Sequence, residues 1–175
     1  MPPQPGAAIV EGAASFGLNP ESIRSRRSRL TYGTNECKIF DEKCDRDQKS
    51  KRRKFEEQGD YYICNFFNKF VSVGERGDVN KVVKNFRVPM SADQTSLLLT
   101  FHSTRKKNPR YVDESDVEKL GELVIDISRT VGTTDRPVED SMNFGKTEIA
   151  VTAKDKKTGK TYNTTLRFSS TYSIE

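Results

Sequence analysis

The sequence predicts a mainly β protein: a β-sandwich preceded by a single α-helix. Three observations carry this. Apolar residues recur with period two along several short segments, as they do in half-buried strands. Those segments are separated by polar turns that contain Gly, Asp or Pro. The 175 residues are only 33% hydrophobic and 31% charged, which suits a thin sandwich with long polar loops better than a large α/β enzyme.

The helix is expected over residues 7–17. Pro5 precedes it and Gly17 ends it. Ile9, Val10, Ala13 and Phe16 fall on one side at helical spacing. A basic stretch follows, with Arg24, Arg26, Arg27 and Arg29. Leu30 to Phe40 reads as a first strand, and Asp41 to Asp60 as an exposed polar loop. Tyr61 to Val73, rich in aromatic and β-branched residues, reads as a long strand or strand pair. Gly74 to Asp78 reads as a turn. Val79 to Val88 is a further strand, stopped by Pro89. Ser96 to Ser103 follows, with Leu97, Leu99 and Phe101 on one face and Leu98 on the other. Arg105 to Asp116 is a second polar excursion, interrupted by Pro109. Leu123, Ile125 and Ile127 alternate with Val124, Asp126 and Ser128. The last two strands, around Ile149-Val151-Ala153 and Tyr162-Thr164-Leu166-Phe168, flank the turn Asp155-Lys156-Lys157-Thr158-Gly159-Lys160. There Asp and Thr can bond their own backbone and Gly159 can take a positive φ. Seven or so short strands at this spacing argue for a sandwich.

Composition also sets bounds on chemistry. No apolar run approaches the length of a membrane span, and no secretion leader is visible. The three cysteines, Cys37, Cys44 and Cys64, cannot all pair with one another. The odd count favours reduced thiols in the cytoplasm. Zinc is the sharper alternative, but it wants about four ligands close together, and the one histidine, His102, is remote. His102 itself reads as a side chain at the polar end of a strand. Asn163-Thr164-Thr165 matches a glycosylation sequon and reads as strand threonines.

The net charge is +5. Basic residues gather at Arg24–Arg29 and again at Lys49, Lys51, Arg52, Arg53 and Lys54. Such runs can bind nucleic acid or act as an import signal. The plainer reading is a solvated loop balanced by Asp41, Glu42, Asp45, Asp47, Glu56 and Glu57, since only Phe55 offers an aromatic surface nearby. No catalytic constellation is evident, because a single histidine is a thin supply of base. No phosphate-cradling glycine loop occurs either.

Two segments resemble a known family. Leu120-Gly121 and Ile149-x-Val151-x-Ala153-x-Asp155-x-x-Thr158-Gly159-Lys160 are similar to the end of the β-sandwich peptide-binding domain of the 70-kDa heat-shock chaperones. Pro5-Gly6 and the Ala-Ile-Val-x-Gly-Ala-Ala run resemble the last helix of the family's actin-like nucleotide-binding domain. Gly17-Leu18-Asn19-Pro20, Ile23, Arg29 and Thr31-Tyr32-Gly33 resemble the interdomain junction of the divergent heat-shock 70-kDa protein 12 branch.

The resemblance implies three parts. Residues 1–29 would be the trailing helix of a truncated ATPase domain plus a basic linker. Residues 30–170 would be a peptide-binding-like sandwich, and 171–175 a tail. It implies a non-enzymatic, cytoplasmic, stress-related module. Such a module binds unfolded or extended polypeptide segments, with its own upstream nucleotide-binding domain as a second partner. ATP would belong to the parent protein and no cofactor to this chain. A scaffold without client binding is the alternative, and a nucleic-acid-binding β domain a lesser one. Val88-Pro89 resembles the family's Ile-Pro step beside the client pocket. Val88, Leu97, Leu99 and Phe101 are therefore the groove candidates, the last three competing with a role in the core. The family's leucine-rich linker is replaced here by Arg24–Arg29, which puts nucleotide coupling in question. No helical lid or Glu-Glu-Val-Asp tail follows before Glu175, so client exchange is expected to be fast.

Overall fold

The computed structural model describes residues 5–18, 25–55, 59–78, 82–144 and 148–167. The junction residues Asn19, Pro20, Ile23 and Arg24, the onset of the strand expected from Val79, and the end of the chain from Phe168, with the 171–175 tail, lie outside the described residues. Helix α1 covers Pro5–Leu18. Its apolar Ile9, Val10 and Leu18 are exposed and contribute nothing to the sandwich core.

Among the described residues eleven strands follow, in the order β1 Ser25–Arg27, β2 Thr31–Ile39, β3 Arg53–Lys54, β4 Tyr61–Val71, β5 Arg76–Asp78, β6 Val82–Arg87, β7 Ser96–Thr104, β8 Val117–Asp126, β9 Val138–Phe144, β10 Glu148–Asp155 and β11 Thr161–Arg167. They form a five-stranded sheet in the order β3-β4-β2-β7-β8, a four-stranded sheet in the order β11-β10-β9-β6, and a two-stranded ribbon of β1 and β5. All pairings are antiparallel. Leu97, Leu99, Phe101 and Ile125 from one sheet meet Val138, Met142, Ile149, Val151, Ala153 and Leu166 from the other in a single core. The fold is thus mainly β, two packed antiparallel sheets with one helix, and each inner face takes every second residue of its strands.

Several expectations need correction. Asp78 and its neighbours are not simply a turn: Arg76–Asp78 pairs with Ser25–Arg27, so part of the basic stretch is a strand. The turn itself sits earlier, with Gly74 at φ 77° and its N–H donating to the Ser28 carbonyl. Strand β9 was not expected. Its inward positions are Val138, Asp140 and Met142, and an inward aspartate breaks the apolar alternation that reveals strands.

The two polar excursions are not free loops. Residues 46–51 form a short 3-10 helix, and Arg53–Lys54 pairs with Tyr61 and Tyr62 of β4. The 105–116 excursion lies along β4: the Phe67 N–H donates to the Arg110 carbonyl and the Val112 N–H to the Asn65 carbonyl. Asp45 joins the excursions, accepting from Arg110 Nη2 and from the Tyr111 hydroxyl, each at 2.6 Å. Burial alone would push the Asp45 carboxyl up, but the bonds from Tyr111, the Asp41 backbone and Arg110 outweigh it and hold it below its ordinary value.

The expectation of reduced thiols fails for two of the three cysteines. Cys37 of β2 and Cys64 of β4 form a disulfide, leaving Cys44 free and exposed. The pairing follows from a β-bulge: register slips between Glu36↔Phe66 and Lys38↔Ile63, which sets Cys37 against the Cys64–Asn65 pair. His102 is at the polar end of β7, His102-Ser103-Thr104, and that end is buried. It is buried at a second bulge, between Phe101 and His102 of β7, with its ring near Phe67.

Candidate functional site

The sandwich has one closed side and one open side. On the closed side β8 and β11 meet. Tyr162 donates to the Asp126 carbonyl at 2.7 Å, and Leu166 lies so near Gly121 that a Cβ there would sit 2.9 Å from its Cδ2. The free flank of β4 is covered by β3 and by Arg110–Val112. Strand β6 has a partner, β9, on one flank only and is the open edge of its sheet among the described residues.

The side chains of β6 divide by its pleat. Val83, Asn85 and Arg87 point inward, while Val82, Lys84 and Phe86 point outward. Val82 is 48% exposed, Phe86 67% and the next apolar residue, Val88, 52%. An uncovered strand edge carrying three large apolar side chains is unusual, because proteins generally blunt such edges with charge or cover. Lys84 is the one charge among them, and it is held on Glu139 of β9 at 2.8 Å. Glu139 also takes Lys156 at 2.9 Å. The hydrogen bonds from Lys84 and then Lys156 hold the Glu139 carboxyl down to about 2.

The edge is held from within. Arg87 Nε donates to Asp140 Oδ1 at 2.7 Å and Nη1 to the Asn35 carbonyl at 2.6 Å, and Nη2 bonds Thr34 Oγ1. One guanidinium therefore spans both sheets. Beyond Val88, Pro89 is buried and the Met90 N–H donates to Gln94 Oε1. Arg136, wholly buried, clamps this turn from below. Its guanidinium donates to the carbonyls of Thr133, Gln94, Ile127, Ser91 and Ala92 at 2.6 to 3.2 Å. Five carbonyls thus take the five N–H donors of a side chain that has no ion pair among the described residues.

Of the four groove candidates, only Val88 is at this edge. Leu97, Leu99 and Phe101 are 9%, 2% and 0% exposed and fill the sandwich interior, so they present no surface to a peptide. Phe86 and Val82 were missed. Within a strand of pattern Val-Val-Lys-Asn-Phe-Arg, nothing local tells which face is solvent. The inward arginine, which marks Phe86 as outward, looks like a surface residue in sequence.

In the second basic cluster, Lys49 pairs with Glu42 at 3.0 Å and Lys51 with Asp113. Arg52 lies over the Tyr61 ring, 4.4 Å from its centroid. Among the described residues no group of three or more His, Cys, Asp or Glu could hold a metal ion, and no described helix is long and apolar enough to cross a membrane.

The class so defined is an antiparallel β-sandwich with an apolar edge at β6 that is uncovered among the described residues. Its relatives are more specific. The chain is 29% identical over 171 residues to human Heat shock 70 kDa protein 12A, covering 96% of this chain and 25% of that protein. Identity and coverage are the same for the mouse protein of that name. Human Heat shock 70 kDa protein 12B is 27% identical over 176 residues, again over 96% of this chain and 25% of its own length. No protein-family profile matches. The chain is thus similar to proteins of the heat-shock 70-kDa protein 12 branch, and it spans a quarter of the length of these relatives.

Proposed function

We propose that this chain is a non-catalytic module that binds extended polypeptide segments or a partner protein at the β6 edge. The observation that carries the reading is the exposure of Val82 and Phe86 on β6, which has one free flank among the described residues, and of Val88 just beyond it. An incoming strand can pair with the free backbone groups of β6 while its apolar side chains lie against this trio. The backbone then supplies affinity and the side chains supply preference. The kinship with the heat-shock 70-kDa protein 12 proteins supports a chaperone-type role. Control by an ATP-binding domain elsewhere in a longer protein belongs to the same proposal.

The test is fluorescence anisotropy of a labelled, extended, leucine-rich peptide titrated with the chain at moderate salt. The expected result is saturable binding that is competed by apolar peptides and not by polyanions, and weakened at least tenfold by Phe86→Asp. A chain that circular dichroism shows to be folded but that binds no peptide would overturn the proposal and leave a scaffold role. Competition by polyanions with steep salt dependence would replace it with nucleic-acid binding.

A further inference from the structure

The disulfide lies beside an open, basic cleft. The cleft has a volume of about 510 Å³ and is lined by Ser50, Lys51, Arg52, Arg53, Cys64 and Asn65. Both Cys37 and Cys64 are partly exposed, so the bond is at the surface of the five-stranded sheet and not in the core. A purely structural cross-link gains nothing from being reachable. Here one of the two bonded cysteines, Cys64, lines a cleft that also holds Lys51, Arg52 and Arg53.

Each cation there is in a different state. Lys51 is tied to Asp113. Arg52 has its guanidinium carbon 4.4 Å from the Tyr61 ring centroid and 5.3 Å from that of Phe40, and its pairing with Glu42 is long, at 3.9 Å. Arg53 is exposed and has no ion pair among the described residues. Asn65 adds a second kind of group. Its Nδ2 donates to Gln48 Oε1 at 3.1 Å and to Asp113 Oδ1 at 2.9 Å, which fixes the amide. Its Oδ1 is then buried with no hydrogen-bond partner. That oxygen is closed to solvent, so recognition in the cleft falls to charge: Lys51, Arg52 and Arg53 place positive charge for a carboxylate beside the disulfide cysteine Cys64.

We propose that Cys37–Cys64 is a reversible redox site and that its cleft takes a small thiol bearing carboxylates. The thiolate of that molecule attacks Cys64 Sγ. The Cys64–ligand disulfide forms, the Cys37–Cys64 bond breaks, and Cys37 leaves as a thiolate that takes up the proton lost by the attacking thiol. A second thiol of the same class attacks the ligand sulfur and releases Cys64, likewise protonated. Two thiols are oxidised to one small disulfide as the protein bond gains two electrons. The cations raise the local concentration of the anionic thiol and favour the thiolate on both partners. The site is independent of the β6 edge.

The experiment uses the whole chain carrying Cys44→Ser, which removes the competing free thiol. The oxidised protein is mixed with glutathione, with its ester in which the carboxylates are masked, or with cysteamine. Samples are alkylated at intervals and read by mass spectrometry, and each rate is corrected for the thiolate fraction of its reagent. The expected result is reduction at least tenfold faster by glutathione than by either other thiol, with a transient adduct at Cys64. That advantage should fall severalfold in Arg53→Glu and at high salt. Equal corrected rates for the three thiols would overturn the proposal, and so would an adduct confined to Cys37. Recovery of Cys37 and Cys64 as free thiols from an oxidising glutathione buffer would also overturn it. The comparison of reagents is made on protein with an intact cleft, so it does not depend on any cleft variant folding.

Discussion

Arg87 and Asp140 form an ion pair across the inner face of β6 and β9, Nε to Oδ1 at 2.7 Å, with the arginine side chain 13% and the aspartate 1% exposed. Neither is at the position directly opposite the other: Arg87 faces Val138 and Asn85 faces Asp140. The pair is a diagonal one, and it leaves the rest of the guanidinium free to reach Thr34 and Asn35 of the other sheet. Removing one member of a buried pair strands the other charge, at a cost of about 3–5 kcal/mol. Asp140→Ala and Arg87→Ala should therefore each lower stability by about that amount, read by urea unfolding. The double replacement Arg87→Ala with Asp140→Ala should cost clearly less than the sum of the two single losses. Additive losses in that cycle would mean the two residues are not coupled.

Arg136 makes a different demand. Its five donors are spread over two turns, Ser91–Gln94 and Ile127–Thr133. A lysine carries the charge but only three donors on one atom, and cannot reproduce that fork. Arg136→Lys should destabilise by at least about 2–3 kcal/mol, since several buried carbonyls lose their partner. Thermal unfolding reads this directly, and a midpoint unchanged from the parent would refute it.

Acid should act through His102. Burial, and then the charge of Lys119, push its imidazole down to about 4 from 6.5. The folded state thus holds the ring neutral at a pH where the unfolded chain would protonate it. Stability from this residue is complete above about pH 6.5 and is lost as pH falls through about 4, with a total loss of roughly 3 kcal/mol. His102→Gln, measured between pH 7 and pH 4, should flatten that part of the stability profile. An unchanged slope would show that another group titrates there.

Gly33 is fixed by contact. A Cβ on it would lie 2.3 Å from Phe67 Cε1 and 2.4 Å from the Asn68 carbonyl oxygen. A ring can turn aside, but a backbone carbonyl in a paired strand cannot move without opening the β2–β4 ladder. Gly33→Ala should therefore cost about 2–3 kcal/mol, toward the upper end for overpacking. Gly12, with nothing near it, is the control: Gly12→Ala should be neutral or slightly stabilising in the α1 helix.

Much of the sandwich was legible because strand periodicity is a local property. Leu97, Leu99 and Phe101 on β7, and Ile149, Val151 and Ala153 on β10, alternate plainly, and all six are in the core. The hairpin turn was equally readable. Asp155 accepts from the Lys157 N–H and the Thr158 hydroxyl, and Gly159 takes φ 73°. Strand β9 was not legible, because its inward Asp140 belongs there only once Arg87 of β6 reaches it diagonally. The β1–β5 pairing was hidden for a similar reason, since Ser25–Arg27 shows no apolar pattern and gains its partner from a segment some 50 residues away.

The amino-acid sequence by itself determined the class of fold, the positions of most strands, the turn chemistry and the kinship with the heat-shock 70-kDa protein 12 proteins. Each of these rests on residues near one another in the chain. Only the tertiary structure decided which apolar residues face solvent, which charges are buried and which cysteines bond. Those outcomes turn on partners distant in sequence: Arg87 on Thr34, Arg136 on Ser91, Cys37 on Cys64. A buried charge or a cross-strand thiol becomes intelligible once the other strand is in place, because its free energy depends on a group that local pattern does not contain.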